Sequence, residues 1–219
     1  MMKVELHCHT CVSKDCLMSY EAIIRQVRAR GLDALAITDH NRIEGAFELA
    51  ARAPFPVIIS EEIRSSEGEI IGHFLREFIP PGLTPEETIE RIRAQGGLVN
   101  IPHPFDSIRK SVIKRETLYR VGPLVDMIEV LNARVIRRRE NDLALAYAQQ
   151  LGKPAVAGSD AHIPYEIGTA YIEIEPFTDA ETFQHNLARA TWHGKVGPIW
   201  THGVSTWAKW RKRLGSVKT

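Results

Sequence analysis

Histidines and carboxylates recur in short polar groups that follow apolar runs. His7 and His9 stand one residue apart at the end of such a run, so in a β-strand both imidazoles project from one face while Cys8 points to the other. An isolated pair of this kind is more often a partly exposed strand end than a metal site. Further ligands are therefore needed before a metal centre is inferred.

More imidazole and carboxylate side chains follow the later apolar runs, namely Asp39, His40, Glu62, His103, Asp160 and His162. Each has a structural explanation by itself, as a helix cap, an exposed charge or a rigid turn. In α/β folds, however, the C-terminal ends of the strands meet at one edge, where active sites are built. Imidazole and carboxylate ligands suit Zn, Mn or Fe, and their number exceeds the needs of one tetrahedral ion. The sequence therefore predicts a site of two or three divalent metal ions.

Alternating apolar and amphipathic segments must position these residues. Strands are predicted at the start of the chain and at residues 32–38, 55–60, 98–101, 127–132, 154–159 and 169–175, with a β-hairpin at residues 61–75 that turns near Glu67-Gly68. Helices lie between most of them. This alternation predicts βαβ units and a parallel sheet with enough strands to close into a barrel.

Helix starts are predicted from capping residues. Ser19 is expected to cap a helix that runs to about residue 30, and Asn41 with Glu44 has the spacing of a capping box. Thr178 and Glu181 have the same spacing before the last helix of the barrel, near residues 179–190. A helix is also expected from about residue 137 to residue 151.

The composition limits the class of protein. The chain has 219 residues, with 28 basic and 27 acidic residues and a net charge of +1, which argues against nucleic acid or a membrane as the main partner. No stretch resembles a signal peptide or a membrane span, so we expect the protein in the cytoplasm. The length suits a single α/β barrel and no linker divides the chain, so we expect one domain over residues 1–219. The three cysteines, all between positions 8 and 16, are expected to be thiols.

Residues 204–219 predict a basic amphipathic helix. Trp207, Trp210 and Leu214 fall on one face, and the cationic residues are Lys209, Arg211, Lys212, Arg213 and Lys218. We expect the Trp face to pack on the body and the basic face to be solvated. The alternative is a surface that touches RNA or another anionic partner.

The ordered motifs HCHT, ITDHN, Glu62 after the third strand, IPHP and GSDAH resemble those of the PHP superfamily, named for polymerase and histidinol phosphatase. The resemblance spans essentially the whole chain. It implies a distorted (β/α)7 barrel in a single domain, with up to three metal ions at the C-terminal mouth. It also implies hydrolysis of phosphoesters.

The resemblance further implies roles for individual residues. His7, His9, Glu62 and Asp160 would hold a first metal, with Glu62 bridging to a second metal at His103. His40 and His162 would hold a third, which Asp15 joins. Arg109 and Arg134 would contact phosphate, and Asp160 or His162 would relay a proton to the leaving alcohol. His185, His193 and His202 lie outside the motifs and are expected to be surface or packing residues.

The remaining ligand of the second metal is open between two residues. Motif alignment places Glu69 in this position, whereas strand parity puts His73 on the same face. A turn at Glu67-Gly68 would set His73 opposite Glu62, but Glu-Gly is a poor type I′ pair. We predict Glu69.

The predicted function is hydrolysis of a small phosphorylated metabolite or nucleotide by a hydroxide that bridges two metal ions. Two alternatives belong to other classes: a metal-dependent hydrolase of a C–N bond, and a non-catalytic scaffold that binds RNA or protein. The scaffold predicts eroded ligands, whereas the set here is almost intact.

Overall fold

Short apolar strands and longer amphipathic helices alternate in the computed structural model, which describes residues 1–215. The strands are β1 Met2–Glu5, β2 Ala34–Ile37, β3 Val57–Ser65, β4 Gly68–His73, β5 Leu98–Ile101, β6 Met127–Asn132, β7 Ala155–Gly158, β8 Ala170–Ile174 and β9 Thr191–Gly194. The α-helices are α1 Tyr20–Arg30, α2 Glu44–Ala50, α3 Pro85–Ala94, α4 Arg115–Val121, α5 Arg138–Leu151, α6 Ala180–Leu187 and α7 Thr201–Gly215.

The strands form one sheet in the order β7-β6-β5-β4-β3-β2-β1-β8-β9. β4 is antiparallel to both β3 and β5, and β8 is antiparallel to β1. The sheet is therefore mixed, whereas the alternation of segments predicted a parallel sheet. Backbone bonds from Asp160 N–H to His7 O (2.8 Å) and from His9 N–H to Ala161 O (3.0 Å) join the segments after β7 and β1. The sheet is thus nearly closed, and the distorted barrel predicted from sequence is confirmed.

The helices cover the barrel through their apolar faces. Ile23 and Val27 of α1 pack with Leu35 and Ile37 of β2, and Ile92 of α3 packs in a second cluster under β4 and β5. Burying side chains of this size contributes about 1.5–3 kcal/mol each. Within the described part of the chain, no helix is both long and apolar enough to cross a bilayer.

Two predicted capping boxes are wrong, although Ser19 caps α1 as expected by accepting from Ala22 N–H. Helix α2 begins at Glu44 without a side-chain cap, because Asn41 has a left-handed φ of 53° and its Oδ1 accepts from Arg64 N–H at 2.7 Å. Asn41 therefore fixes the end of β3 and not the start of a helix. The last barrel helix, α6, uses a box one residue further on, at Asp179 and Thr182.

The β3–β4 hairpin turns one residue earlier than predicted. Ser65 pairs with Gly68, so the connecting residues are Ser66 and Glu67, and Gly68, at φ 140°, already begins β4. This register sets Glu69 opposite Arg64 near the C-terminal end of β3. It sets His73 opposite Ser60, much further from that end.

Helix α7 includes the described part of the predicted helix and begins three residues earlier, at Thr201, but the expected orientation of its faces is wrong. Trp207 and Trp210 are 49% and 61% exposed, and Leu214 is also exposed. The buried positions are Thr201, Ser205 and Ala208, whose small side chains allow the helix to lie close to the barrel mouth. Of the predicted basic residues, Lys218 lies outside the described residues.

Because the Trp side chains face away from the barrel, replacing them should cost little stability. We expect the double variant Trp207→Ala and Trp210→Ala to keep its free energy of unfolding within about 1 kcal/mol of wild type. Urea unfolding followed by circular dichroism measures this. A loss of several kcal/mol would show that the two rings are buried.

Glu61 gives the stability a predictable pH dependence. Its Oε2 accepts from Ile79 N–H at 3.0 Å while its Oε1 is buried without a partner, and burial raises the pKa of this carboxyl to about 8. The folded state thus holds the proton more tightly than the unfolded chain, so stability falls as pH rises from about 5 to about 8. Glu61→Gln should flatten the plot of Tm against pH in this window, whereas exposed Glu90→Gln should not.

Candidate metal centre

The side chains singled out from the sequence converge at the C-terminal mouth of the barrel. β1 leads into His7 and His9, β2 into His40, β5 into His103 and β7 into Asp160 and His162, while β3 supplies Glu62 and β4 supplies Glu69. Asp15, from the loop after β1, reaches His40 and His162. The structure thus brings every predicted metal ligand into one cluster.

His7, His9 and Asp160 form one group whose ligand atoms lie within 4.8 Å of one another, and Glu62 approaches both of its imidazoles. His7 Nε2 lies 3.6 Å from both Glu62 Oε2 and Asp160 Oδ1, and His9 Nε2 lies 3.6 Å and 3.2 Å from the same two oxygens. All four atoms are buried without a hydrogen-bond partner. Ligands about 2.1 Å from a tetrahedral ion are about 3.4 Å apart. The donor set therefore fits a divalent cation.

Hydrogen bonds on the far side of two imidazoles set their tautomers for this role. His7 Nδ1–H donates to Glu129 Oε1 at 3.0 Å. Ser13 Oγ donates to Asp39 Oδ1 at 2.6 Å, so it accepts from His9 Nδ1–H at 3.2 Å. In the neutral form of each ring these bonds leave the Nε2 lone pair directed at the cluster, which is the arrangement typical of metal-binding histidines.

Three more groups of ligand atoms overlap with this set. They are His7, Glu62 and His103; His40, Glu62 and Glu69; and His9, His40 and His162, each with its ligand atoms within 4.8 Å of one another. Glu62 belongs to two of these groups, since its Oε1 lies 3.2 Å from His103 Nε2 and its Oε2 lies 2.9 Å from His40 Nδ1. A carboxylate in this position can bridge two ions.

Glu69 lies inside the cluster and His73 lies outside it. Glu69 oxygens are 3.8 Å from His40 Nδ1 and 4.0 Å from His103 Nε2. His73 is bound to Ser60 Oγ and Asn100 Nδ2 instead, and its burial lowers its pKa to about 3. Because the turn lies one residue earlier, His73 pairs with Ser60, two residues before Glu62, and this shift explains the separation.

The charges of the cluster suit a cation. Burial, followed by the nearby His162 and His40, lowers the pKa of His9 to about 4, so this imidazole is neutral at pH 7, as a ligand must be. Burial opposes ionisation of Asp160, but the Arg109 guanidinium holds its pKa well below the usual range. Burial and the Glu62 charge raise the pKa of Glu69, which a bound cation would reverse.

Two of the cluster residues have a backbone conformation that L-residues rarely adopt. His103 has φ of 30° and Asp160 has φ of 56°. Such residues store strain of the order of 1–3 kcal/mol and are concentrated at functional sites. Here the strained backbone directs both side chains into the barrel mouth.

The two predicted phosphate-contacting arginines lie at the rim of the cluster, and both are paired. Arg109 contacts Asp160 Oδ2 at 2.5 Å and Asp106 Oδ2 at 3.1 Å. Arg134 is buried between Glu166 Oε2 at 3.1 Å and Ser205 Oγ of α7 at 2.8 Å. Both line the pocket above the cluster, so neither is a solvated surface arginine.

That pocket has a volume of about 450 Å³ and is walled on one side by α7. Lys209 Nζ of this helix lies 3.1 Å from Asp15 Oδ2, and Lys212 Nζ donates to Cys11 O and Ser13 O. His202, expected to be a surface or packing residue, is half-buried and lines the pocket as well. The C-terminal helix is therefore part of the site.

Glu129 is the main site residue that the sequence reasoning missed. Besides holding His7, its Oε2 accepts from His103 N–H at 2.8 Å and from Asn132 Nδ2–H at 2.9 Å. The sequence did contain one indication, a carboxylate within the apolar run MIEVLN. All six residues of this strand are buried.

Replacing Glu129 by glutamine should weaken metal binding by about 10–100-fold, because one of its three donors would then meet an amide N–H₂. Isothermal titration with Mn²⁺ or Zn²⁺ measures the change. Glu61→Gln is the matched control, since Glu61 is also a buried carboxylate next to a ligand but points away from the cluster. Equal affinities in both variants would contradict the assigned role.

Comparison with known proteins identifies the chain. The family model described as PHP domain matches residues 5–75, and the PHP-associated model matches residues 138–191. The uncharacterized protein MJ0417 of Methanocaldococcus jannaschii is 38% identical over 175 residues, which are 78% of this chain and 70% of that protein. The chain belongs to the PHP family. MJ1587 of the same organism is 41% identical over 145 residues, or 60% of this chain and 82% of the relative.

Solved structures share the PHP fold at low sequence identity. PsfC from Pseudomonas syringae aligns over 97% of this chain and 98% of its own, with a TM-score of 0.69 and 16% identity. A two-domain protein from Bacteroides vulgatus, containing a predicted PHP-like metal-dependent phosphoesterase, aligns over 94% of this chain and 69% of its own, with a TM-score of 0.68 and 18% identity. Family membership and the buried ligand cluster together support a metal-dependent hydrolase.

Proposed function

We propose that this metal-dependent hydrolase of the PHP family cleaves the phosphoester bond of a small metabolite or nucleotide. The observation that supports the proposal is the charge of the pocket. Its floor holds the ligand cluster, and its wall holds the cationic residues Lys14, Arg64, Arg109, Lys110, Arg134 and Lys209. Such a wall attracts the phosphoryl oxygens of a substrate toward the ions.

Two or three divalent ions are proposed at the cluster. His7, His9, Glu62 and Asp160 would hold the first, Glu62 with Glu69 and His103 the second, and His40, His162 and Asp15 a third. When bound, the ions supply Lewis acidity at phosphorus and lower the pKa of water enough to provide a nucleophile near neutral pH. Mn and Fe suit this set better than Zn alone, since it contains several carboxylates.

Arg109 would orient the phosphoryl group. Its Nη2 and Nε are held by Asp160 and Asp106, so the guanidinium is already positioned beside the cluster, and it is partly exposed toward the pocket. Planar guanidinium matches two phosphoryl oxygens at once. Arg134, held by α7, would contact a more distant part of the anion.

The leaving alcohol needs a proton, and His162 is better placed than Asp160 to deliver it. His162 lines the pocket, whereas Asp160 is fully buried below it. The Nδ1–H of His162 donates to Asp160 O at 2.8 Å, which leaves His162 Nε2 to exchange a proton with a group in the pocket. A third ion at His40 and His162 would occupy that same nitrogen, so this relay requires the enzyme to work with two ions.

The substrate is proposed to be small because α7 closes one side of the pocket. A volume of about 450 Å³ can accommodate a nucleotide or a phosphorylated metabolite, whereas a polymer would have to pass α7, which is anchored by Lys209 and Lys212. The C–N alternative has one supporting comparison, an amidohydrolase from Chromobacterium violaceum with a TM-score of 0.60 and 16% identity, covering 93% of this chain and 96% of that one. The cationic wall favours the phosphoester.

The test is metal analysis of the purified protein, followed by assay of phosphomonoesters, phosphodiesters and amides with added Mn²⁺, Fe²⁺ or Zn²⁺. We expect turnover of a phosphomonoester that a chelator abolishes. Arg109→Met should raise KM and lower kcat on that substrate, with Lys153→Met, outside the pocket, as the control. Hydrolysis of amides alone would contradict the phosphoester proposal, and metal-free protein with full activity would contradict the whole site.

A further inference from the structure

Helix α7 presents an apolar stripe to solvent. Trp207, Trp210 and Leu214 recur at spacings of three and four residues, so they lie on one face, and each is about half exposed or more. Directly before the helix, Ile199 and Trp200 are also exposed. Monomeric soluble proteins rarely expose contiguous apolar surface of this kind unless it contacts a partner.

The charges beside this stripe are all positive. Arg211 and Arg213 flank it, and no Asp or Glu occurs in residues 201–219. The Arg211 guanidinium lies 5.3 Å from the centre of the Trp207 ring, which holds one cation at the edge of the apolar stripe. The partner must therefore offer apolar and anionic groups side by side.

We propose that the outer face of α7, formed by Trp207, Trp210, Leu214, Arg211 and Arg213, docks on an anionic lipid surface. Indole rings favour the boundary between headgroups and acyl chains, and arginines favour lipid phosphates. A helix with an aromatic and aliphatic stripe flanked by cations has the composition of an interfacial helix. The net charge of the whole chain, +1, does not reveal this local excess of basic residues.

The inner face of α7 remains on the barrel in this arrangement. Ser205 bonds Arg134, Lys209 pairs with Asp15, and Lys212 bonds the Cys11 and Ser13 carbonyls. The stripe and its flanking arginines lie on the opposite side, so docking needs no displacement of the helix. The protein would bind the surface as a folded body.

Two other partners fit the stripe less well. A second copy of α7 would bring Arg211 and Arg213 against the same residues of its partner, and like charges in contact are destabilising. Single-stranded RNA would stack on the indoles but would leave Leu214 and Ile199 without an apolar contact. Both are outcomes of the test below.

The experiment is sedimentation of the full chain with phosphatidylcholine vesicles, with and without phosphatidylglycerol. We expect binding to the anionic vesicles, a blue shift of Trp fluorescence, and weakening by salt. The double variant Trp207→Ser and Trp210→Ser should bind at least tenfold more weakly, whereas Trp192→Ser, which removes the 38% exposed Trp192 of β9, should bind as wild type. Equal thermal melting of the variants shows that the fold is retained.

Charge is tested separately with Arg211→Gln plus Arg213→Gln against the exposed pair Arg138→Gln plus Arg139→Gln on α5. Only the α7 pair should weaken binding to anionic vesicles. The proposal is overturned if wild type does not sediment with them, if neutral vesicles bind equally, or if the α7 variants bind as wild type. Trp-dependent binding of a single-stranded RNA, or Trp-dependent dimers in sedimentation velocity, without vesicle binding, would assign the stripe to those partners instead.

Discussion

Replacing His9 by alanine is expected to lower turnover by more than about a hundredfold and to remove at least one equivalent of bound metal. Loss of residues that merely orient metal ligands typically costs 10–100-fold, and a ligand should cost more. His9 belongs to two of the ligand groups, the one with Asp160 and His7 and the one with His40 and His162. Its loss therefore affects more than one ion.

The matched control is Cys8→Ala. Cys8 is adjacent to His9 and fully buried, but its side chain lies in the apolar cluster between the barrel and α1, away from the ligands. This variant should keep its metal content and activity while losing some stability. Metal content by elemental analysis and turnover on the same preparations give both results. A folded Cys8→Ala protein without metal would reverse the assignment.

Exchanging Glu69 for glutamine is expected to remove one metal equivalent and lower turnover by about 10–100-fold. Burial, followed by repulsion from the Glu62 carboxylate, raises the pKa of Glu69, and a cation near both carboxylates would reverse this shift. His73→Ala is the comparison. It should keep the full metal content and instead lose stability, because Ser60 and Asn100 would lose a buried hydrogen-bond partner.

The measurement is the number of metal equivalents retained after dialysis, together with Tm in the presence and absence of added metal. Metal bound only by the folded state raises Tm, so Glu69→Gln should show a smaller increase than His73→Ala. If His73→Ala loses the equivalent and Glu69→Gln keeps it, the second metal position has been assigned to the wrong residue.

The cluster could be predicted from sequence because His7, His40, His103 and Asp160 come shortly after parallel strands. Parallel strands place their C-terminal ends together whatever the details of the loops, so His7, His40, His103 and Asp160 had to meet. Choosing between Glu69 and His73 required the strand pairing of the hairpin. The turn lies one residue earlier than predicted, which moves the partner of His73 by two residues, from Glu62 to Ser60, away from the mouth. Glu129 could not be assigned because its role depends on hydrogen bonds to residues distant in sequence.

The face of α7 that packs on the barrel could also not be predicted from the sequence. The pattern of Trp207, Trp210 and Leu214 correctly predicted an amphipathic helix, and burial of the apolar face is the usual outcome. At this position, however, the barrel mouth presents the Asp15 carboxylate and the Cys11 and Ser13 carbonyls, which bind lysines and not indoles. Polar contacts to the site therefore determined which face turned inward.

Two carboxylates make the metal positions dependent on one another. Glu129 holds the His7 ring with one oxygen and the His103 backbone with the other, and Glu62 faces His7 and His40 with one oxygen and His103 with the other. An ion that fixes Glu62 at one position also fixes its free oxygen for the next. Loading is therefore expected to be cooperative, so that a titration with substoichiometric metal yields a mixture of filled and empty molecules in place of uniformly half-filled ones.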